Sequence, residues 1–423
     1  MILQYTYTRS DPRGHPPAHR TGLDLDLDLN RLAVFWRPLV DLTDSAYAPV
    51  RLRAVPLVSS WLARPQAARR SWFSMIGVPG QRHQVLRHAG LTAYDCADPT
   101  TLPPALRSEE WSVLVRTIEA FPDLSLPARA LLVFHLAQLS YCGFAIRLCG
   151  DVRPTGDPDH DFYAHEVARV NARTPGRTGH ALDVFRQLSD VCSDPLLALA
   201  ACFQGIGHTL RSSGDLELAR AFHRRGHHLL PRVATDDWHS NLVRSRFHRA
   251  VALLKLAEGD TETMRWHLTM AFAEHDALGA GGTPADALVL RENHRYLIEL
   301  RLREALRHRP ENAPVLGEQV YRLDPYCVDA RLMAGDGFAA AGKWREAARR
   351  YAHAGELGTA AGAVGWFRAA QCLDAAGDPT EALNAMAHCL ELDPTAVEPR
   401  TYLTNSVSRR FSLGSQKGER PSA

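Results

Sequence analysis

Between about residue 157 and residue 403, apolar positions recur three and four apart, the spacing of helices that bury one face. The helices come in pairs with a fixed internal order. In 328–359 a first helix carries Gly335 and Phe338 and ends at Gly342, and a second carries Ala347, Tyr351 and Ala354. The order returns as Trp366, Ala370, Leu373, Gly377, Ala382, Met386 and Cys389, closing on Pro394. Phe203, Gly207, Leu210, Gly214, Ala219, His223, Gly226 and Pro231 form a third copy. Ala252, Gly259, Met264, Leu268 and Ala271 form a fourth, and Gly176, Ala181, Phe185 and Leu188 a weaker fifth. Small residues recur where two helices must touch, large ones wedge between neighbouring pairs, and glycine closes the first helix.

This grammar resembles the tetratricopeptide repeat over roughly residues 157–400, most closely at 200–231 and 328–394. Ala347 and Ala382 are 35 residues apart, close to that family's period of about 34. Ala219 and Met264 are 45 apart, so the connections are longer in the first half. The stretch 283–324 fits loosely: Asp286 to His308 reads as one long helix and Pro314 to Leu323 as a short one before Pro325. The resemblance implies an all-α fold, a right-handed α-solenoid of stacked antiparallel helical hairpins with a less regular N-terminal segment. Five to seven repeats are expected.

The remaining chain divides by composition. Residues 1–50 are rich in Pro, Asp and Thr without helical periodicity, and are expected to be irregular and partly disordered. Residues 51–150 hold proline-broken apolar runs followed by two helices, Pro104 to Phe121 and Leu126 to Leu148. This region is expected to cap the repeat domain of 151–403, since terminal repeats need a polar outer face. The Ser-, Arg- and Gly-rich tail 404–423 is expected to be disordered, and its Ser408–Ser412 string looks like a basic-directed phosphorylation site.

Charge narrows the partners. With 49 basic and 47 acidic residues in 423, the chain is not built to blanket nucleic acid or an anionic membrane. No apolar run approaches the roughly 20 residues that span a bilayer, and Met1 to Ser10 lacks a secretory pattern. Eight scattered cysteines without a C-x-x-C pair read as reduced thiols, so a cytoplasmic protein is expected. Only Lys255, Lys343 and Lys417 are lysines, and 20 residues are histidine. Such a bias follows from a GC-rich coding sequence and lowers the weight of any single Arg or His.

Several polar motifs resolve into structural readings. Leu23 to Asn30 alternates Leu and Asp, but a calcium loop needs Gly and Glu where Leu29 and Phe35 stand. Asp159, His160, Asp161, His165 and Glu166 form the densest polar cluster, with Asp161 and His165 four apart on one helix face. Asp157, Pro158 and Asp159 explain much of it as a helix start. His223 and His227 are also four apart, yet His223 falls where the repeat packs a large residue. No nucleophile elbow, phosphate loop or dinucleotide fingerprint occurs, so no catalytic residue, metal ligand or cofactor is assigned.

In tetratricopeptide arrays the first helices of successive hairpins line a concave groove. Carried onto this chain, the resemblance implies a groove of Tyr163, Glu166, Arg173, Gln204, His208, Arg211, Arg246 and Arg249, then Asp329, Asp336, Gln371 and Asp374. The first half is basic and the second acidic. Guanidinium groups match carboxylates with two parallel hydrogen bonds, so Arg211, Arg246 and Arg249 are expected to grip an acidic segment or a C-terminal carboxylate of a protein or peptide. The expected function is therefore a non-catalytic scaffold or adaptor, with no direct contact to nucleic acid or membrane. A peptide-sensing regulator, a solenoid enzyme or small-molecule binder using Asp161, His165 and Glu166, and a homo-oligomer are the alternatives.

Overall fold

The computed structural model describes residues 98–101, 104, 109–138, 141–174, 176–235, 237–279, 284–323, 328–356, 360–392 and 396–404. The Leu23–Asn30 motif, the irregular segment 1–50, almost all of 51–100, the tail from 405 onward, and Cys96 and Cys327 lie outside these. Among the described residues the fold is all-α, without a strand.

Two compact units divide the chain after Leu300. The first holds α1 (Glu109–Glu119), α2 (Leu126–Gln138), α3 (Cys142–Cys149), α4 (Pro158–Ala172), α5 (Thr178–Val191), α6 (Pro195–Ser212), α7 (Leu216–Leu229), α8 (Trp238–Glu258) and α9 (Thr261–Asp276). It also holds most of α10 (Pro284–His308). The second holds α11 (Ala313–Leu323), α12 (Val328–Ala340), α13 (Trp344–Gly355), α14 (Ala360–Ala375) and α15 (Pro379–Leu392), then a helical segment at 397–404. Each unit is a stack of antiparallel hairpins, α4/α5, α6/α7 and α8/α9 in the first, α12/α13 and α14/α15 in the second. The long and short helices expected around 286–323 are α10 and α11. The helix expected over 126–148 is instead two, α2 and α3, with Tyr141 non-helical ahead of Cys142.

The helices start where the sequence offers caps. Asp157, Asp194, Asp215, Asp237 and Asp260 each accept a hydrogen bond from a backbone N–H in the first turn of the next helix. Each such cap is worth about 1 kcal/mol. Pro158 and Pro195 occupy the first helical position, where a missing N–H costs nothing. Gly259 ends α8 with φ of 80°, and Gly342 makes the α12–α13 turn with φ of 70°. That left-handed backbone suits glycine.

Packing within the hairpins follows one rule. A glycine on the first helix lies under an aromatic ring of the second: Gly205 under Phe222, where an added Cβ would come within 2.6 Å of the ring, and Gly335 under Tyr351. Between hairpins the rule is reversed, with Gly226 under Phe247 and Gly355 under Trp366. In the 200–231 copy the touching pair is Gly205 and Phe222, not the Gly207 and His223 that the spacing suggests. Apolar clusters fill the rest. Ala252, Leu256, Met264, Leu268 and Ala271 close on Leu297 and Leu300, fastening α10 to the α8/α9 hairpin. In the second unit Phe367, Ala370, Ala382, Met386 and Cys389 form the α14/α15 core.

Candidate functional site

Helix α4 is buried along its whole middle, from Asp161 to Asn171, and α8 is nearly as enclosed. Their polar faces therefore cannot all be solvated, and the charged side chains on them meet inside the first unit.

Arg169 and Arg173 come from α4 and its C-terminal cap, Arg246 and Arg249 from α8, and Glu292, Arg295, Tyr296 and Glu299 from α10. Two carboxylates are committed to close partners. Glu166 accepts from Arg169 Nη1 at 2.6 Å and lies 3.0 Å from His165 Nδ1. Burial raises the Glu166 carboxyl, but the Arg169 charge and the His165 bond outweigh it and hold it below its ordinary value. Glu299 accepts from Arg295 Nη1 at 2.6 Å.

Arg173, Arg246 and Arg249 are left facing Glu292. Arg246 is 2% exposed, and its Nη2 is 3.6 Å from Glu292 Oε2, too far for a hydrogen bond. Its Nη1 is buried with no hydrogen-bond partner. Among the described residues neither Arg173 nor Arg249 pairs with a carboxylate. Arg249 instead reaches Asn293 Oδ1 at 3.5 Å and lies 4.7 Å from the Tyr296 ring centre, with Arg295 at 4.3 Å from the same ring. Burial lowers Arg246 to about 9, still charged at neutral pH, and lowers Arg173 and Arg249 below their ordinary values. The same burial pushes Glu292 up to about 7 despite Arg246, Arg295, Arg249 and Arg173 around it. Arg173 and Arg249 are half-buried, so part of each side chain meets solvent.

His208 completes this face. Its half-buried ring stacks on Phe185 with centres 6.1 Å apart, and burial with Arg211, Arg173 and Arg169 nearby lowers it to about 3. Arg211 is exposed, with its guanidinium over Gly207. Of the groove residues expected from the sequence, Glu166, Arg173, His208, Arg211, Arg246 and Arg249 thus share one electrostatic neighbourhood. Gln204 is half-buried on α6. Tyr163 is buried beside Cys149. Asp329, Asp336, Gln371 and Asp374 belong to the second unit. There Asp329 and Asp374 are exposed and Gln371 is half-buried. Asp336 accepts from the Tyr351 hydroxyl and from Arg368 Nη1, both at 2.6 Å.

The sequence did not single out Arg169, Glu292, Arg295, Tyr296 or Glu299. A signal existed in α10, where Glu292, Arg295, Tyr296 and Glu299 fall on one helix face at offsets of three, four and seven.

The other polar motifs have structural partners. Asp157 caps α4, as its place before Pro158 suggests. Asp161 accepts from the Thr155 and Gly156 amides at 2.8 and 3.1 Å, tying the preceding loop to the helix. His223 packs edge-on against His267 with ring centres 5.8 Å apart, and His248 Nδ1 lies 3.0 Å from His267 Nδ1. Among the described residues no three His, Cys, Asp or Glu side chains are placed to hold a metal ion. The second unit has an open cleft of about 640 Å³ lined by Arg345, Arg349, Trp366, Leu373, Asp378 and His388. Arg345 and Asp378 pair with each other at 3.0 Å, which neutralises one of its walls.

No family model and no curated protein matches the chain. Among solved structures, one match is the human IFIT1 dimer with PPP-AAAA, at 14% identity and a TM-score of 0.40, covering 87% of this chain and 77% of that one. At that identity and score the match says nothing of function. No described helix is long and apolar enough to cross a membrane.

Proposed function

We propose that the chain is a non-catalytic scaffold of the tetratricopeptide type, working in the cytoplasm, whose first unit binds an acidic segment or terminal carboxylate of a protein or peptide partner. The supporting observation is the imbalance inside the first unit: Arg173, Arg246 and Arg249 all act on one carboxyl, Glu292, and at 3.6 Å neither Arg246 Nη1 nor Glu292 Oε2 has a hydrogen-bond partner. A charge left uncompensated in an interior costs several kcal/mol. An anionic group entering from the side of Arg173 and Arg249 would supply the missing acceptors, and guanidinium forks suit a carboxylate's two oxygens. The acid–base alternative has less support, because Asp161 Oδ1 holds the preceding loop and Glu166 is bonded to both His165 and Arg169.

The test is calorimetric titration of acidic peptides, each with a free and an amidated C-terminus, into the full chain. Wild type should bind the free acids, and Arg246→Glu/Arg249→Glu should not while remaining helical by circular dichroism. Equal binding by that variant would sink the reading. Light scattering on the same samples separates a monomer from a homo-oligomer.

A further inference from the structure

Resting on that reading, the count of charges specifies the group that enters. The pairs Glu166–Arg169 and Glu299–Arg295 are closed at 2.6 Å and largely cancel. What remains is three guanidiniums against Glu292, a carboxyl that among the described residues sits 3.6 Å from Arg246. A single carboxylate brings one charge and two acceptor oxygens. It would leave at least one of the three cations uncompensated, and each guanidinium presents up to five N–H donors. A phosphomonoester carries a charge of about −1.5 to −2 and three acceptor oxygens arranged as a tripod. Its oxygens can be shared among three forks arriving from two different helices, which a flat carboxylate cannot do. All the cations here are arginine, the residue whose fixed fork best fits a phosphoryl group.

The neighbourhood favours a peptide as carrier over a nucleic-acid strand. The chain as a whole has a net charge of only +2. Nucleic acid binding draws on many phosphate contacts along a strand, whereas here the cations are three, with Arg246 buried and Arg173 and Arg249 half-buried. We infer that the first unit is a phosphate-reading module, in which Arg173, Arg246 and Arg249 hold the phosphoryl group of a phosphorylated residue in a peptide partner.

The experiment uses the full chain and four probes at matched ionic strength and pH 7.5: inorganic phosphate, acetate, a phosphoserine peptide with its glutamate counterpart, and a 5′-phosphorylated RNA oligonucleotide. Phosphate is expected to raise the melting temperature at concentrations about tenfold below acetate, and the phosphopeptide to bind about tenfold tighter than its glutamate form. Both effects should disappear in Arg249→Gln and in Arg173→Gln. These half-buried positions allow the fold to be checked by circular dichroism if Arg246 variants do not fold. Equal binding of the glutamate and phosphoserine peptides would overturn the phosphate inference while leaving the acidic-partner reading intact. Binding of the RNA without the peptide would overturn the assignment of a peptide carrier. No response to any probe would overturn both.

Discussion

Arg246 Nη2 stands 3.6 Å from Glu292 Oε2 with both side chains buried, and in that pair the acid yields. Arg246 and Arg249 from α8, Arg173 from α4 and Arg295 on its own helix all pull the Glu292 carboxyl down, yet burial still pushes it up to about 7. The native chain therefore keeps this proton between pH 4.5 and about 7, where the unfolded chain has lost it. Its contribution to stability is complete below about pH 4.5, shrinks as pH rises, and is gone above about 7, a change of roughly 3 kcal/mol. Glu292→Gln keeps the shape and removes the ionisation. Urea unfolding should show the variant more stable than wild type at pH 8 and level with it at pH 4.5. A variant weaker than wild type at pH 8 would mean that the carboxylate is a net stabiliser.

The histidines give the opposite trend. His223, His248 and His267 meet between α7, α8 and α9, and burial lowers them to about 4, 4 and 3, helped by Lys255, Arg244 and one another. A lowered histidine contributes fully above its ordinary value near 6.5 and loses that contribution as pH falls towards its native value. Replacing His267 by Gln removes one such group, so the fall in melting temperature between pH 6.5 and 4.5 should be shallower than in wild type. An unchanged slope would show that these rings do not control the acid transition.

The repeat register was legible because it rests on backbone contact. Gly335 under Tyr351 falls at its expected position. The Gly205–Phe222 contact does not, since its neighbours Gly207 and His223 fit the same spacing and only packing distinguishes them. Of the arginine cluster, Arg173, Arg246 and Arg249 could be placed from the hairpin register. Glu292, Arg295, Tyr296 and Glu299 could not, because α10 lies where the repeat pattern fades. A helix with a buried polar face also shows little amphipathic contrast to read. The pairing of Asp336 with Tyr351 and Arg368 was equally hidden, as it joins three helices across long sequence separations.

Close approach predicts a sharp contrast between two glycines. A Cβ on Gly337 would lie 2.5 Å from the Ala313 carbonyl oxygen and 3.0 Å from its carbon, and backbone cannot give way as a side chain can. Gly337→Ala should cost about 1–3 kcal/mol or more by chemical denaturation. Gly143 on α3 has nothing nearer than the end of Arg147 at 3.8 Å, so Gly143→Ala should be neutral or stabilising by up to about 1 kcal/mol. Equal costs at the two sites would refute the α11–α12 contact.

Asp157 accepts from the amides of Asp159 and His160 at 3.1 and 2.9 Å, the start of the helix that carries Arg169 and Arg173. Asp157→Ala should lower stability by about 1 kcal/mol and weaken anion binding without touching an arginine. Lost stability with unchanged binding would show that the α4 start does not position the cluster.

The proposed anion site depends on the half-buried Arg173 and Arg249. The most direct measurement is a set of side-by-side isotherms for one acidic peptide with wild type, Arg173→Gln, Arg249→Gln and Arg186→Gln. Arg186 is an exposed arginine already 3.6 Å from Asp183, so it serves as the control. At least a tenfold loss of affinity is expected for the first two variants and no change for the third. Equal affinity in all four chains, or an equal loss in all three variants, would contradict it.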